Sequence, residues 1–219
     1  MLLVPAAAGA STTSPEKLVQ ALSRAAPAAN PKVLALATQA LACVQRRMPG
    51  QTTLSVIDYS LPSTKPRLWV FDLAQQPRLL FEEWVAHGRN SGDNLANRFS
   101  NTPGSLMSSL GTFVTDGTYT GHNGYSLRLK GIDGNFNDQA ESRAIVVHGA
   151  SYVSPAFAHS QGRLGRSYGC PAVRAAVSHK LIDAIRERSV VFAYYPDPRW
   201  LSGSRLLGDC GGNQPMASR

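Results

Sequence analysis

The pattern of apolar and polar positions changes once along this chain, close to residue 50. Before that point apolar residues such as Val33, Leu34 and Leu41 recur at the three- and four-residue spacing of a helix. Ser14 followed by Pro15 has the residue types of a helix N-cap and first turn. The spacing predicts two amphipathic helices, over residues 15–26 and 31–48.

After residue 50 the pattern becomes one of short apolar runs separated by glycine, proline and asparagine, which is typical of strands. The predicted strands cover residues 54–59, 67–73, 79–86, 111–115, 125–130, 144–147 and 190–195. One helix is predicted after Cys170, because Val173, Val177 and Leu181 fall on one helical face. Many strands and few helices predict a mainly β domain of the α+β class.

The length of 219 residues fits one sizeable domain. We divide the chain into an N-terminal segment (1–14), a helical extension packed on the domain (15–50), a catalytic domain (51–201) and a glycine-rich tail (202–219). Residues 1–10 have the small and apolar character of the end of a secretory signal but lack its basic start, which fits either a signal remnant or a disordered N-terminus. No stretch approaches the roughly 18 apolar residues of a membrane span, so no stable membrane insertion is expected.

The formal charge of +8 makes nucleic acid a partner to consider. The arginines are spread singly through predicted strands and loops, with no basic helix face and no aromatic stacking platform. A basic surface equally attracts the carboxylates of a cell wall. We therefore expect an acidic, non-nucleic-acid partner.

A histidine at a strand end and a cysteine flanked by glycine are the strongest chemical signals. The run over 144–147 predicts a buried strand, so His148 would emerge where that strand ends. Cys170 lies between Gly169 and Pro171, and Pro171 fits the first turn of the predicted helix. Backbone N–H groups and the helix end would favour the thiolate, and a nearby imidazole would act as its base.

Several further segments support a resemblance to one enzyme family. They are residues 57–62, 85–89, 99–105, 126–129 and 165–173. With these segments the chain resembles, over about residues 43–201, the murein L,D-transpeptidase catalytic domain family, in the YkuD-like branch of Gram-negative bacteria. That family pairs a histidine with a later Ser/Thr-His-Gly-Cys motif. Here Tyr168 replaces the second histidine of that motif, and the stretch between His148 and Cys170 is longer than usual.

The resemblance implies a YkuD-like β-sandwich fold and a periplasmic enzyme acting on peptidoglycan stem peptides. Cys170 would attack the amide after diaminopimelate and form a thioester, which an amine of a neighbouring stem would resolve into a 3-3 or 1-3 cross-link. His148 would be the base, oriented by the Gly149 carbonyl, and carbapenems would inhibit. The oxyanion would be held by the N–H of Cys170 with that of Gly169 or Tyr168.

The carboxylates of such a donor peptide call for forked guanidinium partners near the cysteine motif. The substrate-binding candidates are Arg163, Arg166, Ser167 and Arg174, together with His87 and His122 in glycine-rich loops that match family segments.

Three cysteines in an exported protein leave one over if two pair, and the odd one should be the nucleophile. A disulfide between Cys43 and Cys210 would hold the tail against the domain. The sequence lacks an HExxH, a CxxC or a closely spaced histidine pair, so we expect no metal and no cofactor. Two alternatives remain: a carboxypeptidase or amidase with the same Cys/His pair, and a non-catalytic wall-binding module. The sequence leaves the oligomeric state open, and we favour a monomer.

Overall fold

The structure is a computed structural model that describes residues 14–208 and Cys210. The expected signal remnant, apart from Ser14, lies outside the described residues, as does the end of the predicted glycine-rich tail, residues 211–219.

The two predicted N-terminal helices are confirmed to within one residue. Helix α1 covers Pro15–Ala25 and helix α2 covers Pro31–Arg47. The Ser14 hydroxyl accepts a hydrogen bond from the backbone N–H of Lys17, and the Asn30 side chain caps α2 in the same way through Lys32. A proline follows each cap, where its missing N–H costs nothing. None of the helices in the described part of the chain is long and apolar enough to cross a membrane.

Within the described residues nine strands form one continuous sheet. The strands are β1 (Thr53–Asp58), β2 (Leu68–Asp72), β3 (Arg78–Glu83), β4 (Val85–Ala86), β5 (Gly111–Gly121), β6 (Gly124–Gly131), β7 (Val146–Ala150), β8 (Ala172–Arg174) and β9 (Val190–Tyr194). Their order across the sheet is β3-β2-β1-β9-β5-β6-β7-β8-β4. The fold is therefore a sheet-dominated α+β domain, as predicted.

The two edges of this sheet are neighbours in the chain. Only Trp84 separates β3, at one edge, from β4, at the other. The sheet must therefore curl until its edges meet, and it is nearly closed. Two side-chain hydrogen bonds cross the junction: Arg174 of β8 donates to the Glu83 carboxylate of β3 at 2.5 and 2.7 Å.

Helix α2 packs on β1 and β9 and contributes to the main core. Leu34 and Leu41 of α2 are fully buried with Phe192 of β9. Helix α2 thus shares the core of the sheet. Helix α5, Pro198–Gly203, adds Trp200 to the same core, with its ring 5.6 Å from that of Phe192.

A disulfide joins Cys43 of α2 to Cys210. The residues that follow α5 are also held by hydrogen bonds, since the Gln39 side chain donates to the carbonyl of Leu207 at 2.6 Å. The cross-link leaves Cys170 as the free thiol of the three cysteines in the chain.

The predicted boundaries around the two catalytic candidates are wrong in three respects. Strand β7 begins two residues later than expected and continues to Ala150, so His148 lies inside it rather than at its end. The segment after Pro171 forms strand β8, and helix α4 starts only at Ala175 and covers Ala175–Ile185. Helix α3 (Pro155–Gln161), which precedes Cys170, and helix α5 were not predicted. Helices α4 and α5 both follow Cys170, where one helix was expected.

Candidate active site

Residues 167–170 form a tight turn that is shaped by its own serine. The Ser167 hydroxyl donates to the carbonyl of Cys170 at 2.6 Å and accepts the N–H of Gly169 at 3.1 Å. Gly169 has a φ of 125°, a conformation that side chains disfavour. A Cβ at Gly169 would lie 2.8 Å from the carbonyl oxygen of Met107. Glycine is therefore required at this position by both conformation and space.

Two other loops anchor this turn. The carbonyl of His87 accepts the N–H of Ser167 at 3.0 Å, and the N–H of Arg89 donates to the carbonyl of Ser167 at 2.8 Å. From the loop before β5, the Ser108 hydroxyl donates to the carbonyl of Gly169 at 3.2 Å. Hydrogen bonds on both sides of the turn fix the position of the Cys170 backbone.

The Cys170 thiol lies against the start of β7. Its sulfur is 3.5 Å from the N–H of Val146 and donates to the carbonyl of Ala144 at 3.7 Å. The residue is 9% exposed, and burial raises the pKa of the thiol, while the Val146 N–H and the charge of Arg143 lower it. The expected helix end is absent at this position, because β8 separates Cys170 from α4. At rest the group is therefore a thiol.

His148 is held in one tautomer by its own strand. Its Nδ1 lies 3.0 Å from the carbonyl oxygen of Gly149, which can only accept, so Nδ1 carries the proton and Nε2 is the basic nitrogen. Burial lowers the pKa of His148, which makes the neutral form dominant at pH 7. This contact between the Gly149 carbonyl and the imidazole is the one expected from the sequence. With the proton on Nδ1, Nε2 is free to accept another proton.

The sheet register places Cys170 and His148 on neighbouring segments of the backbone. His148 pairs with Ala172 in the parallel ladder between β7 and β8, and Cys170 precedes Ala172 by two residues. The thiol contacts Val146, two residues before His148. Cys170 and His148 therefore lie on adjacent stretches of backbone, at the same end of the β7–β8 pairing.

One of the predicted oxyanion donors is already used. The N–H of Gly169 is bound by the Ser167 hydroxyl, so it cannot also stabilise an oxyanion. Within the described residues no acceptor binds the N–H of Cys170 or that of Tyr168. The same bond corrects the expectation for Ser167, which is 5% exposed and shapes the turn instead of facing substrate.

The three arginine candidates differ in how far they are already occupied. Arg174 binds Glu83 through two nitrogens and packs over Trp84, so the carboxylate role expected of it is wrong. Arg166 donates to the carbonyls of Arg89 and Gly92 and pairs with Asp93 at 2.8 Å. Arg163 donates only to the carbonyl of Leu164 among described residues and keeps its other N–H groups for a ligand.

His122 does not reach the catalytic turn. It lies in the exposed turn between β5 and β6. The register of β6 against β7 pairs Ser126 with His148, which places this turn beyond the Ala150 end of β7, whereas Cys170 lies at the Val146 end. His122 therefore does not contact the reacting atoms, and a role in the groove stays a prediction.

His87 is buried below the turn, not in a groove. Its side chain is 1% exposed, with Nδ1 accepting from Arg67 at 2.8 Å and Nε2 donating to the carbonyl of Gly92 at 3.2 Å. Burial, with the charge of Arg67, lowers the pKa of His87 to about 4. The substrate-binding role expected of His87 is wrong, because both ring nitrogens are bound inside the protein.

We expect the protein to lose stability in acid because of His87. An unfolded histidine has a pKa near 6.5, so as pH falls from about 6.5 to about 4 the unfolded chain binds a proton that the folded state excludes. The stability present above pH 6.5 should fall by up to about 3 kcal/mol across this range. Urea unfolding between pH 7 and pH 4.5 measures it. His87→Gln, which keeps an acceptor and a donor without titrating, should show a smaller loss, and an equal loss would contradict the assignment.

Three residues that sequence reasoning left out surround the thiol. Arg143 lies next to Gly169, and Tyr59 and Tyr152 are close enough for a charge on Cys170 to affect them. Burial is the main cause that raises the pKa of each tyrosine to about 12. Tyr59 belongs to a segment quoted for the family resemblance, but nothing in one sequence shows that these three residues meet at the cysteine.

The residues of this site give no set of metal ligands. Across residues 14–208 and Cys210, no three histidine, cysteine, aspartate or glutamate side chains come together as a candidate metal centre. The chemistry of the site is therefore read from Cys170, His148 and their neighbours.

Comparison with known proteins identifies the class. A sequence model of the L,D-transpeptidase catalytic domain family matches residues 25–194. The chain therefore belongs to this family, a class that the Cys/His arrangement on a nearly closed sheet also fits. No curated protein sequence matches the chain.

Similar solved structures include an L,D-transpeptidase from Mycobacterium smegmatis, with 14% identity, 67% of this chain and 60% of that chain covered, and a TM-score of 0.42. Another is an L,D-transpeptidase from Stackebrandtia nassauensis, with 13% identity, 82% and 77% covered, and a TM-score of 0.39. L,D-transpeptidase 1 of Mycobacterium tuberculosis has 13% identity, 67% and 63% covered, and a TM-score of 0.38. The chain thus spans about 60% of the first of these proteins, and the family assignment rests on the sequence model alone.

Proposed function

We propose that the protein is a peptidoglycan L,D-transpeptidase with Cys170 as nucleophile and His148 as general base. The observation that carries the proposal is the hydrogen bond from His148 Nδ1 to the Gly149 carbonyl. It leaves Nε2 basic, on the strand whose first residue contacts the thiol. Membership of the family supplies the substrate class, stem peptides of the cell wall.

The reaction proceeds by two acyl transfers. As the sulfur of Cys170 attacks the diaminopimelate carbonyl carbon of the amide to D-alanine, its proton passes to Nε2 of His148. The C–S bond forms, the C–N bond to D-alanine breaks, and the departing amine takes the proton from His148. An amine of a neighbouring stem then attacks the thioester, giving up its proton to His148 and returning the thiol. The product is a cross-link of the 3-3 or the 1-3 type.

The negative oxygen of each tetrahedral intermediate needs donors about 3 Å away. The backbone N–H groups of Cys170 and Tyr168 fill this role in our proposal, because Gly169 is already bound. The turn is fixed by bonds from two loops, so these donors need no rearrangement during the reaction. Tyr168 is 69% exposed, and in this proposal its ring forms a wall for the peptide.

The carboxylates of the donor stem bind arginine in this proposal. Arg163 has unused N–H groups, and Arg166 has an exposed partner, Asp93, that a substrate carboxylate can displace. Arg89 adds an exposed guanidinium 6.0 Å from the ring of Tyr168. A carbapenem, which presents a strained amide to the same thiol, is expected to acylate Cys170.

Action on peptidoglycan places the enzyme outside the cytoplasm, and we propose the periplasm. The disulfide between Cys43 and Cys210 supports this placement, since disulfides persist in oxidising compartments and are rare in the cytosol.

The test is product analysis by mass spectrometry after incubation with purified disaccharide-tetrapeptide. A cross-linked dimer supports the proposal, and fragmentation identifies the bond as 3-3 or 1-3. Tripeptide without dimer would show a carboxypeptidase that uses the same pair with water as acceptor. If the substrate stays unchanged while the protein co-sediments with cell-wall sacculi, the result would favour a binding module and overturn the proposal.

A further inference from the structure

A guanidinium without an acidic partner lies beside the catalytic turn. Arg143, in the turn before β7, is half-buried, and its two terminal nitrogens make hydrogen bonds to neutral oxygens. The acceptors are the Ser100 carbonyl (2.7 Å), the Ser109 hydroxyl (2.6 Å), the Ser105 hydroxyl (3.2 Å) and the Met107 carbonyl (2.7 Å). No carboxylate pairs with Arg143 among the described residues.

A partly buried charge is costly unless something compensates it. Arg174 and Arg166 each meet a carboxylate, Glu83 and Asp93, whereas Arg67 and Arg163, like Arg143, bond only neutral groups among the described residues. Arg143 meets only dipoles. Its charge is therefore left without a counter-ion until a negative group forms nearby.

The place where a negative group would form is Cys170. An Nη2 atom of Arg143 lies 3.3 Å from where a Cβ on Gly169 would stand, and Gly169 is the residue before the nucleophile. The Met107 carbonyl that accepts from Arg143 is also the atom closest to that Cβ position. The guanidinium therefore lies directly behind the turn that carries the thiol.

The other titratable groups that face the thiol are uncharged at neutral pH. His148 on β7 is neutral because burial lowers its pKa. Tyr59, after β1, and Tyr152, after β7, each have a pKa raised to about 12 and stay protonated. Within the described residues, Arg143 is the one permanent charge that acts on Cys170.

We propose that Arg143 is a positioning residue that acts through Cys170, supplying the positive charge that stabilises the thiolate as the proton leaves for His148. The charge of the guanidinium replaces the helix end that the sequence suggested and the structure lacks. The proposal builds on the proposed function, because it names what makes the same nucleophile reactive.

A second explanation must be separated from this one. The four bonds of Arg143 tie the segment 100–109 to the turn before β7, so the residue also supports the structure. A purely structural role predicts that neutral variants lose stability while the ionisation of Cys170 stays the same. The measurement must therefore follow ionisation directly.

The test is the pH dependence of Cys170 alkylation by iodoacetamide in the full chain, followed by intact mass. Cys43 and Cys210 are paired, so the reagent has a single target among the three cysteines. Iodoacetamide is uncharged and reacts with the thiolate, so the midpoint of the rate profile reports the ionisation of the thiol. The assay needs no stem peptide, so the result is independent of whether transpeptidation is the activity.

We expect Arg143→Gln and Arg143→Met to move the midpoint upward by at least about one pH unit, which slows alkylation about tenfold below the midpoint. Arg143→Lys should keep the wild-type midpoint even if its melting temperature falls. Arg78→Met, which removes an exposed charge paired with Asp72 and without a contact to the catalytic turn, controls for net charge and should leave the midpoint unchanged.

Two results would overturn the proposal. One is a wild-type midpoint in Arg143→Gln, whatever its melting temperature. The other is a midpoint in Arg143→Lys raised to the value of the neutral variants, which would show that geometry and not charge matters. Should both neutral variants fail to fold, the midpoint of Arg143→Lys decides the question alone. Ser109→Ala, which removes one bond to Arg143 and keeps the charge, should also alkylate with the wild-type midpoint.

Discussion

Cys170→Ala is expected to abolish conversion of the disaccharide-tetrapeptide, lowering the rate by at least about 10³-fold, as loss of a covalent nucleophile does in other acyl-transfer enzymes. The reason is that the sulfur forms the thioester, and no other free thiol exists among the described residues to replace it. The measurement is product formation per enzyme by liquid chromatography, with intact mass to detect the acyl-enzyme in the wild type.

The matched control for this variant is Cys170→Ser. It keeps a polar atom of similar shape against the Val146 N–H, but a hydroxyl ionises far less readily than a thiol. We expect both variants to keep the melting temperature within a few degrees, since the turn is held by Ser167, Ser108 and backbone bonds rather than by the sulfur. Tetrapeptide turnover by the folded alanine variant at more than a few per cent of the wild-type rate would exclude Cys170 as the nucleophile.

The parts of the fold that local sequence determines were predictable. Ser14 and Asn30 cap helices that begin with proline, and these residues bond the first turn in the structure. Strands β2 and β9 are nearly continuous apolar runs, and together with β1 they are buried along most of their length. For these elements composition, spacing and capping indicate the same structure.

The segment after the nucleophile shows why the rest was not predictable. Residues 171–174 read as a helix start, with proline in the first position and alanine next. In the structure Ala172 and Val173 instead pair with β7 on one side and β4 on the other. Both partners are distant in sequence, and such pairing overrides local preference. The error then moved the helix end to Cys170, where the structure has none.

The residues of the candidate site also divide into those that the sequence identifies and those that it does not. A single motif carries Cys170, Gly169 and Ser167, so their importance was evident, although the use of the serine to shape the turn required the bonds at 2.6 and 3.1 Å. Arg143 could not be recognised, because its partners come from residues 100–109. His87 was misread because a glycine-rich loop that follows a strand resembles a site loop, and only burial against Arg67 shows otherwise.

His148→Ala is expected to lower kcat/KM for the tetrapeptide by about 10² to 10⁴, the usual contribution of a general base. The loss should fall on kcat, because the imidazole accepts a proton only as the sulfur attacks. His179→Gln provides the matched control. His179 lies on α4 with its ring 4.9 Å from that of Tyr125, so the variant removes a histidine at the surface without touching Cys170.

The pH profile of the wild type carries a second part of this prediction. His148 must be neutral to act, and burial lowers its pKa below the usual value of about 6.5. Activity should therefore persist as pH falls through 6.5 and decline only below it, with the acid limb of kcat/KM reporting the free imidazole. The alanine variant should lack this limb. An acid limb centred above pH 6.5, or one unchanged in His148→Ala, would assign the base to another group. In that case Arg143 would be the charged residue left near the thiol that could favour its ionisation.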